Sequence, residues 1–196
     1  MPKIVDPETR RAEIIAAAWR LIATEGITAV TTRRIAQATG YSNGVLRYYF
    51  SGKDAVITAA FQGIFDATND RARAADAAPH GLRGLRELVL QIMPLDDNRL
   101  MEARIAINFW QQALNSPEKA ALHADVMRQW RVEIEHRLDE AVDDGELAPL
   151  ADVTGIADEL LTLLTGLQVT AVLAPDETGP DRQVAQYDAF IARLRR

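Results

Sequence analysis

The chain has no cysteine. That removes disulfides, thiolate nucleophiles and cysteine-ligated metals from consideration, and it fits a reducing compartment. A long unbroken apolar run is missing too. The most apolar stretch, Leu160 to Pro175, is interrupted by Thr162, Thr165, Gln168 and Thr170 and falls short of the roughly 20 residues a spanning helix needs. The opening MPKIVDPETRR holds no apolar signal core. A cytoplasmic protein with no membrane partner is therefore expected. Histidine is scarce: His80, His123 and His136 do not fall at metal-ligand spacing. Asp96 and Asp97 read as a helix cap rather than a dyad. With no glycine-rich phosphate loop, nucleophile elbow or HExxH motif, an enzyme reading has nothing to stand on, and no metal or cofactor is expected.

The chain is rich, by contrast, in apolar residues at helical spacing. Of its 196 residues 48% are hydrophobic, enough to bury a core in one large domain or two small ones. Ile14, Ala18, Leu21 and Ile22 form the stripe of a first helix, about 7–25, with Gly26 as its stop. Thr31 and Thr32 are N-cap candidates for a short second helix ending before Gly40, and a third runs from Ser42 or Asn43 to Phe50. A long fourth helix follows SGKD, with Val56, Ala60, Phe61, Ile64 and Phe65 on one face. Five more are expected, at about 82–93, 98–114, from Pro117 to before Gly145, 153–174 and 181–195. No repeat and no convincing strand appear, so the fold class is all-α.

Charge is uneven along the chain. The net charge is −6, yet residues 1–54 carry eight Lys/Arg against five Asp/Glu. The stretch TTRRIAQATGYSNGVLRYYFSGKD, Thr31 to Asp54, contains Arg33, Arg34, Arg47 and Lys53 and no acid before Asp54. Its two predicted helices are joined by TGYS, the length and chemistry of a helix-turn-helix. Ala36 suits a close helix crossing, Gly40 a left-handed turn, and Ile35, Tyr41, Leu46 and Tyr49 a shared core. A plain αα-hairpin would need the same small and apolar residues. It would have no reason to collect only positive charge. A DNA reader has one, because Arg and Lys neutralise phosphates while hydroxyl and amide side chains bond the backbone or base edges.

These residues resemble the DNA-binding signature of TetR-type regulators: a Thr opening the second helix, Ile-Ala, Gly in the turn, Ser-x-Gly opening the recognition helix, then Tyr-x-His/Tyr-Phe and x-x-Lys. The resemblance spans about Glu8 to Phe65. It implies that Thr32, Ser42, Asn43, Gly44, Tyr48, Tyr49 and Lys53 line DNA beside the basic Arg33 and Arg34, with Phe50 in the core. Arg47 stands where the family usually has a phosphate-contacting tyrosine. Arginine can hold a phosphate or read guanine bidentately.

The rest of the chain, through MEARIAINFWQQALNSPEKAAL and IADELLTLLTGLQVTAVLAP, is similar to the C-terminal domain of the choline-responsive (BetI-like) repressors of betaine synthesis. That resemblance implies a homodimer built from the last two helices and an inducer cavity among the middle ones. Apolar residues surround most of the eighth helix, so it needs cover on several sides. Leu160, Leu164, Leu167, Val184 and Ile191 are the expected dimer contacts. Met101, Asn108, Phe109, Trp110, Met127 and Trp130 are the candidates for a small organic ligand; the same residues would serve as ordinary core. Ring faces of Trp110 and Trp130 would suit an organic cation, with an uncharged or anionic inducer the alternative. Asp139 to Glu146, DEAVDDGE, reads as a solvated acidic helix end.

The expected organisation is a DNA-binding domain over 1–54 and a ligand-binding, dimerising domain over 55–196. The expected function is a ligand-responsive transcriptional repressor on a near-palindromic double-stranded operator. The rivals are a small-molecule carrier or enzyme with a relic hairpin, and an architectural DNA protein without a ligand.

Overall fold

The computed structural model describes residues 6–75 and 78–195. Among them are nine α-helices, one 3-10 turn (Ile27–Ala29) and no strand. The helices are α1 Pro7–Glu25, α2 Thr32–Thr39, α3 Asn43–Tyr49, α4 Lys53–Ala75, α5 Gly81–Ile92, α6 Asp97–Ala113, α7 Pro117–Asp143, α8 Val153–Leu173 and α9 Pro180–Leu194. Side-chain oxygens of Asp6, Thr31, Ser42, Asp96, Ser116 and Asp152 cap the starts of α1, α2, α3, α6, α7 and α8. Each accepts from a backbone N–H that has no partner inside its helix.

Two apolar cores form, and α4 belongs to both. Ile14, Ala18, Ile35, Leu46 and Phe50 pack with Val56 and Ala60 of α4 around the N-terminal helices, joined by Ile105 of α6. Ile57 and Phe61, one face further round α4, enter the larger core with Leu85, Phe109, Ile134, Leu138 and Tyr187. The expected division at 54/55 falls in the first turn of α4.

The last two helices turn a different face outward from the one expected. Leu160, Leu164 and Leu167 are buried inside the protomer, as is Ile191, and Val184 is half-buried against the same core. None of the five offers a full side chain to a partner. A helix apolar all round gives no periodic sign of which stripe its own domain takes, and here the leucine stripe packs inward against α6 and α7. The stripe left outside holds Thr162, Gly166, Thr170 and Leu173 on α8, and Ala185, Ala189 and Ala192 are exposed on α9. The helix runs over Val153–Leu173, within one residue of the expected 153–174. It is the one described helix long and apolar enough to cross a membrane by length and composition, but 39% of its most apolar window is buried inside the protein. Those inward leucines make it a core helix.

The acidic end of α7 departs from the solvated reading. His80 gives α5 no side-chain cap. Instead Glu140 accepts from Gly81 N–H at 3.0 Å and Glu146 from Leu82 N–H at 2.8 Å. The acids of one helix end thus satisfy the orphan donors of another. Gly81 sits at φ +54°, and a Cβ there would lie 2.5 Å from Glu146 Oε2, so a side chain would strain the backbone and push Glu146 from the Leu82 N–H. Burial works against ionised Glu140, but the Arg137 guanidinium at 2.8 Å and the Gly81 N–H outweigh it and hold its pKa at about 2.

A carboxyl with a depressed folded pKa stabilises fully above its unfolded value, and the contribution vanishes as pH falls through the folded one. Glu140→Gln is therefore expected to cost about 1–3 kcal/mol at neutral pH. Its deficit against wild type should shrink between the ordinary carboxyl value of 4.5 and pH about 2. Thermal denaturation of both proteins across that range checks it; a deficit independent of pH would contradict the assignment.

Candidate nucleic-acid interface and ligand cavity

The hairpin between α2 and α3 is set by local chemistry. Thr31 Oγ1 accepts from Arg34 N–H at 3.2 Å and Ser42 Oγ from Val45 N–H at 3.2 Å. Gly40 takes φ +74°, ψ 9°, the left-handed conformation that ends α2 and reverses the chain. Ile35, Ala36 and Leu46 are buried between the helices. Tyr41 lies at the rim, its hydroxyl bonded to the Glu13 carboxylate. Phe50 is buried, with the Arg11 guanidinium 5.3 Å over its ring.

One side of this unit is left open and basic. Arg33, Ser42, Asn43, Gly44, Arg47 and Tyr48 are exposed, Tyr48 by 82%; Thr32, Tyr49 and Lys53 are partly so. The Tyr48 and Tyr49 rings meet edge to face at 5.0 Å. Arg34 alone among the four basic candidates has an acidic partner, Glu25 of α1. Arg33, Arg47 and Lys53 form no ion pair among the described residues. Nothing inside the chain requires glycine at position 44: an added Cβ would meet only Ser42 Oγ, at an ordinary 3.6 Å.

The candidate ligand residues divide. Trp110, Met127 and Trp130 line a small cavity of about 30 Å³ together with Phe61, Phe65 and Gln168, room for about one or two waters. The other three lie elsewhere. Phe109 is fully buried and stacked on Phe61 at 4.0 Å, as core. Asn108 donates to Arg104 C=O of its own helix at 2.8 Å. Met101 packs against the N-terminal core. Helical spacing could not separate these, because α6 passes between both cores and each turn presents residues to different neighbours. The wall contributed by α4, Phe61 to Thr68, was not among the candidates, although its apolar stripe is visible in the sequence. Glu102 also lines the cavity and is held by Arg71 at 2.8 and 2.9 Å. Burial raises its pKa even so, with Arg71 opposing.

Comparison with known proteins assigns the chain. Residues 14–60 match the bacterial regulatory proteins of the tetR family, and residues 82–196 match the C-terminal domain of BetI-type transcriptional repressors. The chain is also 30% identical over 187 residues to the HTH-type transcriptional regulator PksA of Bacillus subtilis, covering 93% of this chain and 88% of that one. The chain belongs to the TetR family. Within it, this TetR-family member carries a BetI-type C-terminal domain. It is 26% identical over 179 residues to the HTH-type transcriptional regulator BetI of Paraburkholderia xenovorans, covering 89% and 87% of the two chains. A solved regulator from Saccharomonospora viridis, in complex with choline, shares the fold with a TM-score of 0.81 at 22% identity, covering 94% and 96%. These relatives are transcriptional regulators and not enzymes, so the TetR-family chain is a DNA-binding regulator of the repressor type.

Gly44→Ala tests the open face directly. A helical glycine replaced by alanine gains up to about 1 kcal/mol, so thermal stability is expected to hold or rise. If α3 lies in the groove at this point, the added methyl group would intrude there, and binding to DNA is expected to weaken at least about tenfold. Unchanged affinity in a titration would show that α3 does not approach DNA there.

Proposed function

We propose that the protein is a homodimeric repressor that grips a near-palindromic operator and is released by a small organic inducer. The observation that carries it is the face of α3, where Asn43, Gly44, Arg47 and Tyr48 stand exposed and three nearby cations have no acidic partner among the described residues. Lys53, at the first residue of α4, reaches a flanking phosphate; Asn43 and Arg47, one turn apart, face the base edges. Residues 1–54 form the reading domain and 55–196 the ligand-binding and dimerising domain, and the DNA target implies a cytoplasmic location.

The dimer forms on the outward stripe of α8 and α9. Gly166 has nothing within 4 Å of an added Cβ, and its neighbours Thr162 and Thr170, with Ala185, Ala189 and Ala192, let two helix pairs approach closely. A two-fold axis there presents two α3 helices to successive major grooves. The inducer acts in the cavity between α4, α6, α7 and α8. The same two helices, α4 and α6, also enter the N-terminal core, so widening the cavity changes the separation of the two readers. The S. viridis regulator of the same fold was solved in complex with choline, which supports small-molecule binding by this chain.

Two measurements test the proposal. Lys53→Ala is expected to weaken binding about equally on all sequences and to reduce the slope of log affinity against log salt by about one unit. Arg47→Ala is expected to cost about 1–3 kcal/mol at one base position. Binding across an operator library separates them, and unchanged affinity in both would remove α3 from the interface. Gly166→Arg, at a position free inside the protomer, is expected to give folded monomers in sedimentation velocity. A wild-type monomer at micromolar concentration would refute the dimer outright.

A further inference from the structure

The cavity beside Trp110 has a neighbour. A cleft of about 500 Å³ between α4, α5 and α7 shares two of its walls, Phe65 and Trp130. These rings stand 5.3 Å apart and separate the inner cavity from the outer cleft. Trp130 is held in place by one hydrogen bond, from Nε1 to Asn69 Oδ1 at 3.3 Å. The inner cavity is far too small for an organic ligand, while the outer cleft lies within the usual range of about 300–1,000 Å³. Parting of the two rings would join them.

The charges around this space are closed on themselves. In the inner wall Glu102 is paired with Arg71, and Arg99 with Asp96 at 2.8 Å. In the outer wall Arg73 is paired with Asp70, and Arg137 with both Glu133 and Glu140. Every charged side chain lining either chamber thus has an opposite partner already in contact. The Arg73–Asp70 pair is exposed to water, but in the inner chamber a charged ligand would enter without a counter-charge or would have to break the Glu102–Arg71 or Arg99–Asp96 pair, and either is costly away from water. His123, edge-on to Trp110 at 5.8 Å, adds no cation, since burial lowers its pKa.

Neutral hydrogen-bonding groups, by contrast, are left over. Gln168 is 8% exposed and lines the inner cavity, and its amide makes no hydrogen bond to any described residue. The Trp110 indole N–H, in the same wall, is buried without an acceptor. Such groups in a native interior call for a partner.

We propose that cavity and cleft form one two-chamber site for an uncharged aromatic molecule bearing a hydrogen-bond acceptor, admitted when Phe65 and Trp130 part. The ring lies among Phe61, Phe65 and Trp130, and its acceptor meets the Gln168 amide or the Trp110 N–H. This rests on the ligand-responsive reading above and narrows it: a quaternary ammonium finds four aromatic rings here but no carboxylate that is not already held by an arginine.

A matched series of probes on the full-length protein decides the matter. Acetophenone, benzoate and phenyltrimethylammonium share a ring and differ in charge; ethylbenzene lacks the acceptor, and choline lacks the ring. Calorimetry and tryptophan fluorescence are expected to show acetophenone binding at least about tenfold tighter than either charged aromatic or choline. Gln168→Leu is expected to weaken acetophenone about two- to tenfold and to leave ethylbenzene within about twofold. A charged probe binding as tightly as acetophenone would overturn the proposal, and if that probe also released operator the regulator reading would stand. Absence of binding by all five would overturn the proposal as well. The regulator reading fails on a different result, namely no sequence-specific DNA binding by the unliganded protein.

Discussion

The fold turns on α6 having to fit two interiors at once. Ile105 is fully buried in the core of the N-terminal helices. Ala106, the next residue, lines the small cavity beside Trp110, as do Glu102 and Ala103 before it. Close-packed interiors shift between discrete arrangements rather than deform smoothly. A rearrangement of the cavity wall on α6 is therefore felt at Ile105, and α4 carries the same double duty through Val56 on one side and Phe61 on the other. The N-terminal helices have no core of their own that is independent of these two helices. Whatever moves them moves α3.

A second constraint is electrostatic. Glu102 is nearly buried, and its carboxylate stays bound between α4 and α6 through the two contacts from Arg71. A buried pair of this kind contributes little net stability, but removing one partner leaves an uncompensated charge at high cost. Its value here is positional. It pins the two helices that share both cores at a fixed separation.

Much of this was legible from the chain alone, for reasons that were local. Helix starts at Thr31, Ser42, Asp96, Ser116 and Asp152 depend on a side chain reaching a backbone N–H three residues on, and such chemistry is written in consecutive letters. The hairpin around Gly40 and the exposed basic face follow from the same short range. The outward stripe of α8 was not legible, because leucines surround that helix and only the packing of α6 and α7 decides which are covered. Nor was the cavity wall: Asn108, Phe109 and Trp110 are consecutive, yet one bonds its own backbone, one stacks in the core and one lines the space. Which is which depends on where α4 and α7 cross.

The capping of α5 has a consequence for the order in which the chain is built. Its first two N–H groups are satisfied by Glu140 and Glu146, 59 and 64 residues later in the chain, and no nearer side chain caps that end. A helix of 12 residues is marginal by itself in water. During synthesis α5 leaves the ribosome well before the end of α7 exists, so for that interval it is a nascent segment with an apolar face and no terminus to hold it. It becomes a helix of full standing only when α7 docks. Assembly of the C-terminal domain is thus a long-range closure event, with the slow entropy term that such closures carry.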